Sequence, residues 1–324
     1  MRRAFLPALA IALSASLPGL AIAQQYPSRT ITFVVPYAAG GNVDISARIL
    51  QAAIGDSLGQ SIVIENRAGA GGTLAGDHVA RSTPDGHTVF VASNGPLMLG
   101  PMTMPKPPYQ WDKVFAPVSM LAVATNMLTV RPNFPAKTVA ELVAYAKASP
   151  GKLTVGNSGG ASINHFMGEL FKLSAGITWV EVAYRGNAPA INDLVAGHVD
   201  MGLQQLTDTL GHIQAGKLKA LAVLGPKRAE AVPDVPTMAE AGYPDVQGVT
   251  WNGLLVPKAT PAAAVEKLSA AVRAALATPM ARDKLLAVGS EPRGNTPAEF
   301  LAFLEADQAK WSRVMKDANI KVSQ

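Results

Sequence analysis

TITFVVPYAAGGNVDISARIL, residues 30–50, opens on the β-branched and aromatic run Ile31-Thr32-Phe33-Val34-Val35. It turns through Pro36 and the small residues Ala38-Ala39-Gly40-Gly41-Asn42, then continues with helical periodicity. Apolar side chains at Val43, Ala47, Leu50, Ile54 and Leu58 recur at spacings of three and four, which predicts a helix with one buried face. A strand, a glycine turn and a helix start leave backbone N–H groups unpaired beyond the strand's carboxyl end, where the helix dipole favours an anion. Asp44 is placed to cap this helix and so to occupy part of that capacity. Packing alone produces the same pattern in many α/β proteins, so the loop needs partners elsewhere in the chain.

Outward from this stretch the alternation continues. Ser61 to Glu65 reads as a second strand, and Asn66-Arg67-Ala68-Gly69-Ala70-Gly71-Gly72-Thr73 as a glycine-rich turn into another helix. Asp85-Gly86 marks a turn before the strand Thr88 to Ala92, which delivers Ser93-Asn94-Gly95 to a loop. Strands alternating with helices predict a parallel sheet with helices on its faces. Two further strands, Val118 to Ala124 and Met127 to Val130, follow a proline-rich passage, and the crossing into a second lobe is expected near Ala124 to Asn126.

The second lobe repeats the pattern. The strand Leu153-Thr154-Val155 runs into Gly156-Asn157-Ser158-Gly159-Gly160-Ala161-Ser162-Ile163-Asn164-His165, and the strand Thr178 to Ala183 runs into Tyr184-Arg185-Gly186-Asn187. Strands at Val199 to Leu203 and Ala220 to Leu224 complete it, and Gly253 to Val256 suggests a return to the first lobe. Each lobe thus offers loops of glycine, asparagine and small hydroxyls that can face one another across a cleft.

Arg2 and Arg3 precede an apolar stretch from Ala4 to Ala23 that closes on Ala21-Ile22-Ala23, the pattern of a cleaved secretory signal peptide, with the mature chain starting near Gln24. The absence of cysteine excludes a disulfide framework and a lipid-modified cysteine, and a bacterial periplasm is the expected compartment. Roughly 300 mature residues suit two lobes. The formal charge of +5 falls to +3 without Arg2 and Arg3, and no run of basic residues with interleaved aromatics occurs, which argues against a nucleic-acid partner.

These residues resemble the periplasmic substrate-binding proteins of tripartite tricarboxylate transporters, the Bug or TctC-like family. The likeness rests on Tyr26-Pro27-Ser28-Arg29, on Val35-Pro36-Tyr37 with Gly40, Gly41 and Asp44, on Glu65-Asn66-Arg67 with Gly69, Gly71 and Gly72, and on Pro84-Asp85-Gly86. It continues through Gly156, Ser158, Gly159, Ser162 and His165, Glu169-Leu170, Tyr184-Arg185-Gly186 with Ala188-Pro189-Ala190, and Gly197 with Val199-Asp200. One departure is Ala38-Ala39, where the family usually has two prolines.

The resemblance implies a two-lobed α/β clamshell, each lobe a mostly parallel sheet flanked by helices. Residues 24–125 and 249–324 would form one lobe and 126–248 the other. It implies a non-enzymatic solute-binding protein without cofactor or metal, monomeric, that captures a small organic carboxylate and delivers it to integral-membrane transporter subunits. Mapped onto this sequence, the first loop gives Tyr37, Ala39, Gly40, Gly41 and Asn42, and the second gives Ser158, Ser162, Asn164 and His165. Ser93, Asn94, Tyr184, Gly186, Asn187, Asp200 and Trp251 are further candidates, each with a structural role as its alternative.

Two other readings stand beside this one. Gly156-Asn157-Ser158-Gly159-Gly160 fits the nucleophile elbow of an α/β-hydrolase, with Asp193 or Asp200 and His212 in the required order, although residues 160–164 separate the serine from the helix. A periplasmic partner that presents its ligand to a membrane sensor kinase would use the same cleft. His165 and Glu169 lie one helical turn apart, but two ligands do not make a metal site, and a hydrogen-bonding role at the helix start is expected of His165.

Overall fold

The computed structural model describes residues 26–157, 162–184 and 186–320. The expected leader, residues 1–23, therefore lies outside the described residues, as do Ser158 and Arg185. Among the described residues no helix is long and apolar enough to cross a membrane.

The opening stretch forms β1 (Ile31–Val35) and α1 (Asn42–Ile54). After them come β2 (Ile62–Asn66), α2 (Thr73–Ala80) and β3 (Thr88–Ser93), with β1 paired in parallel to both β2 and β3. Val43, Ala47, Leu50, Ile54 and Leu58 are all buried, in one core with Phe33, Val89 and Leu268. Burial of each of the larger side chains, Val43, Leu50, Ile54 and Leu58, contributes about 1.5–3 kcal/mol, so this face fixes α1 on the sheet and aims its N-terminus past the end of β1.

Two helical turns, α3 (Gly100–Met102) and α4 (Trp111–Val114), lead into β4 (Phe115–Val130). The sequence suggests two strands here; the structure makes one of 16 residues. Phe115 to Thr125 pair antiparallel with β9 (Val249–Pro257), whereas Asn126 to Val130 pair antiparallel with β7 (Met201–Gln205) and β8 (Lys219–Val223). No glycine or proline lies between Val118 and Val130, so nothing interrupts the ladder where it changes partners.

In the second lobe α5 (Val139–Ala148) precedes β5 (Thr154–Asn157), α6 (Ile163–Ala175), β6 (Val180–Ala183), α7 (Asn187–Ala196), β7, α8 (Leu206–Gln214) and β8. β5 is parallel to β6 and β7. The sheet order is β2-β1-β3-β9-β4-β7-β5-β6, so parallel pairing holds in the outer strands of each lobe and gives way to antiparallel pairing around β4 and β9. The physical reason is that the chain crosses between lobes along β4 and comes back along β9, and adjacent strands running out and back are antiparallel.

After β9 come α9 (Ala262–Leu276), α10 (Pro279–Ala287), β10 (Ser290–Pro292), which pairs with β4, and α11 (Pro297–Asp317). Thr296 and Glu299 form a reciprocal cap at the start of α11, with Pro297 as its first residue. Phe300 packs edge-on against Trp251 of β9 at 5.6 Å, and Trp311 packs edge-on against Phe166 of α6 at 6.1 Å. This helix therefore begins on the first lobe and ends on the second.

Candidate functional site

The loops that follow β1 and β3 in the first lobe, and β5, β6 and β7 in the second, all lie at carboxyl ends of strands, the side where open α/β sheets place ligands. They meet through α1 and α8: Asn42 Nδ2 donates to Thr207 Oγ1 at 3.0 Å. Asn42 is buried, and its Oδ1 accepts from Asn252 Nδ2 at 2.6 Å, while Asn252 Nδ2 also donates to Ser46 Oγ at 3.1 Å. A second polar chain runs through the crossing strands. Gln205 Nε2 donates to Thr250 Oγ1 at 2.9 Å, Thr250 Oγ1 to Asn126 Oδ1 at 3.3 Å, and Asn126 Nδ2 to the Gly248 carbonyl at 3.3 Å.

α1 starts at Gly41, whose extended backbone leaves the N-terminus without a side-chain cap. Asp44 does not cap the first turn in the usual way. It reaches back to the Gly40 N–H at 2.9 Å, and it also accepts from Arg48 Nε at 2.8 Å and from Asn66 Nδ2 at 2.9 Å. Burial alone would push its carboxyl up, but these donors hold it below the ordinary value of 3.8. The Gly40 N–H is thereby spent on the fold, and Gly41 and Asn42 are left to offer the N–H groups of the first turn.

Tyr37 and Ser93 come together at the carboxyl ends of β1 and β3. Burial pushes the Tyr37 hydroxyl up to about 12 against the opposing effect of its bond to Ser93, so the phenol stays protonated. Ala39 is exposed at the loop tip. Across the seam, Ser162 caps α6 by accepting from the His165 N–H at 3.3 Å. Asn164, fully buried, donates to Asn187 Oδ1 at 3.0 Å. Asn187 opens α7 behind Gly186, whose φ of 123° suits glycine and whose position carries no side-chain cap. Asn187 Nδ2 donates to Gln205 Oε1 and, at 2.7 Å, to Asp208 Oδ2.

Other nominated residues are not brought to this group. Asp200 sits at the amino ends of β5 and β7, where it accepts from Arg131 Nε at 2.9 Å and from the Thr154 N–H and hydroxyl at 3.0 and 2.9 Å. It locks two strands at the end away from the loops. Trp251 is fully buried, with Nε1 donating to Asp307 Oδ2 at 2.7 Å. Asn94 is equally buried and donates to the same oxygen at 3.0 Å. The Tyr184 hydroxyl turns to Asp193 Oδ2 at 2.7 Å, and burial together with that carboxylate pushes it up to about 12. The His165 side chain pairs with Glu169 at 3.3 Å. Glu169 would be raised by burial but is held below its ordinary value by hydrogen bonds from His165 and Lys172.

Of the hydrolase arrangement, Ser158 lies outside the described residues; Asp200 is engaged as above, and Asp193 pairs with Tyr184 and with His198 rather than His212. Among the described residues no three His, Cys, Asp or Glu side chains cluster to hold a metal ion. Gln205, Thr207 and Asp208 were missed in the sequence. Their signal was the third strand-to-helix junction of the second lobe, Gln204-Gln205-Leu206, which lacks the glycines that drew attention to the first two.

Two lobes joined by crossing strands, with strand-end loops meeting at the seam, define a two-lobed solute-binding protein. The chain belongs to the tripartite tricarboxylate transporter family receptors, whose profile matches residues 46–320. It is 34% identical over 301 residues to protein BugT of Bordetella pertussis, covering 93% of this chain and 92% of the relative. Among solved structures, Rpa4515 of R. palustris with adipate superposes with a TM-score of 0.87 at 34% identity, covering 91% of this chain and 98% of that one. MatC from Rhodopseudomonas palustris with bound malate gives a TM-score of 0.83 at 36% identity, covering 89% and 99%.

Proposed function

We propose that this protein is a periplasmic receptor that captures a small organic carboxylate between residues 24–125 with 249–324 on one side and residues 126–248 on the other. It then delivers the ligand to the membrane subunits of a tripartite transporter. The observation that carries this reading is the uncapped N-terminus of α1 held at the seam by Asn42 and Thr207. N–H groups without side-chain partners there suit a carboxylate, and neutral donors bind it without a buried cation. The relatives solved with adipate and malate support a carboxylate as the ligand class. The loop donors act as binding groups, with no covalent step. Residues 1–23 serve as a signal peptide that is removed on export.

The test is a thermal-shift screen of the refolded protein, started at Gln24, against citrate, dicarboxylates, amino acids and aromatic carboxylates, followed by calorimetry. A ligand that binds only the folded state raises the melting temperature by mass action, by about 2.7 kcal/mol of stability at a hundredfold excess over Kd. Hydrolysis of a chromogenic ester, lost on Ser158→Ala, would instead favour an esterase. N-terminal sequencing of the exported protein checks the cleavage at Ala23.

A further inference from the structure

One side-chain network runs from the strands that join the lobes to the loops of the second lobe, and Gln205 is its middle member. Gln205 is the last residue of β7 and only 7% exposed. Its Nε2 donates to Thr250 Oγ1 of β9 at 2.9 Å, and its Oε1 accepts from Asn187 Nδ2. Asn187 in turn accepts from Asn164 Nδ2 at 3.0 Å, and Thr250 donates to Asn126 Oδ1 of β4 at 3.3 Å. In the sheet β9 and β7 flank β4, so they stand about 10 Å apart, twice the spacing of neighbouring strands. Thr250 faces Ala124 and Gln205 faces Asn126, on either side of the point where β4 changes partners. The bond from Gln205 to Thr250 therefore reaches over β4 and spans the hinge by side chains alone.

Rotation of one lobe against the other moves β9 relative to β7, and a displacement of about 1 Å takes a bond of this kind out of hydrogen-bonding range. Released from Thr250, the Gln205 side chain regains its rotamer freedom and no longer fixes Asn187. Carried along with Thr250, it leaves Asn187 behind. Either way the grip on the start of α7, and through Asn187 on Asn164 of α6, slackens as the lobes part. Resting on the carboxylate-binding reading above, we propose that Gln205 is a positioning residue that couples lobe closure to the site. It orders the loops of the second lobe when the lobes are together and loosens them as the cleft opens, so hinge motion and ligand release share one set of bonds.

The experiment is hydrogen exchange of the full ligand-free chain, read at residues 162–167 and 187–191, beside calorimetry with malate and adipate as probes. Thr250→Val keeps the shape of its side chain and touches neither helix start. Gln205→Met keeps its length, while Asn187 retains Asp208 as a partner and Thr250 retains Asn126. Each variant should exchange at least about threefold faster at the two helix starts, and should bind an acid that the parent binds about tenfold more weakly. The double variant should add less than about twofold to the larger single effect, because one cut already breaks the chain. Ser119→Ala is the control: it removes a fully buried hydroxyl that donates to the Asn295 carbonyl at 2.8 Å, and it should leave both readings at parent values. Parent-like exchange in Thr250→Val, parent-like affinity there for an acid the parent binds, effects that multiply in the double variant, or the same loosening in Ser119→Ala would each overturn the proposal. If neither acid binds the parent, exchange alone decides on Gln205, and the carboxylate reading stands or falls on its own wider panel.

Discussion

Asn42 and Thr207, 165 residues apart in sequence, share a 3.0 Å hydrogen bond that joins the first turn of α1 to the first turn of α8. It is a direct side-chain link between the loops of the two lobes, and it sits where the ligand is proposed to enter. Thr207→Val removes that bond together with the 3.5 Å contact between the same hydroxyl and Ser290 Oγ, and should lower stability by about 1 kcal/mol. Asn42→Ala also removes one of the two acceptors of the buried Asn252 amide, leaving it only Ser46, and should cost about 2–3 kcal/mol. Urea unfolding of both variants checks the order; equal losses would mean that the seam bond, not the buried amide pair, carries the effect.

Gly41 can be changed without disturbing the fold. Its φ of −84° and ψ of 170° suit any residue, and an added Cβ meets nothing closer than the Ala38 carbonyl at 3.9 Å. Gly41→Val should therefore cost under about 1 kcal/mol of stability yet weaken carboxylate binding about tenfold by shielding the N–H groups of α1. Calorimetry beside a melting curve separates the two effects, and unchanged affinity would remove this helix start from the site.

Asp307, partly buried, lies at the middle of α11. Trp251 Nε1 and Asn94 Nδ2 donate to its Oδ2, and Trp311 Nε1 donates to its Oδ1 at 2.7 Å. Burial raises its carboxyl above the ordinary range, with these donors acting in the opposite direction. Asp307→Ala leaves three buried donors unpaired and should destabilise by about 2–4 kcal/mol, read from the urea midpoint. Loss of less than about 1 kcal/mol would show that water replaces the carboxylate there.

The pH response of stability should carry a signature of Asp44. Its folded value is held below 3.8, so its contribution is complete above 3.8 and is lost as pH falls from there through the folded value. Asp44→Asn should lower stability at neutral pH by about 1–2 kcal/mol and flatten the decline below pH 3.8. Parallel acid-unfolding curves for variant and parent would contradict this assignment.

The apolar periodicity of Val43 to Leu58 was sufficient to place α1, because burial of one face is a local property of the sequence. The glycine turns before α1 and α2 were legible for a similar reason: a strand, a turn and a helix start announce their geometry residue by residue. The unity of β4 was not legible, since a strand that changes partners at Asn126 looks in sequence like two strands with a polar pair between them. The fates of Trp251 and Asn94 were hidden as well, because Asp307, which receives both, comes from α11, more than 50 residues further along the chain. Asp200 was drawn into the candidate site by its place in a motif, whereas its partners, Arg131 and Thr154, lie at the opposite ends of the strands.

The continuous β4 constrains how such proteins can be recombined. Exchanging the middle segment, 126–248, with that of a relative requires two junctions. One falls inside β4 between Thr125 and Asn126, and the other at the start of β9, where Thr125 faces Val249. Both cuts pass through the same rung of one ladder. A chimera assembled there inherits a graft between two strands rather than between two loops, and an error of a single residue at either junction would turn the remainder of that strand to the wrong face. Specificity in this architecture is accordingly easier to alter by single side chains at the seam than by trading whole halves.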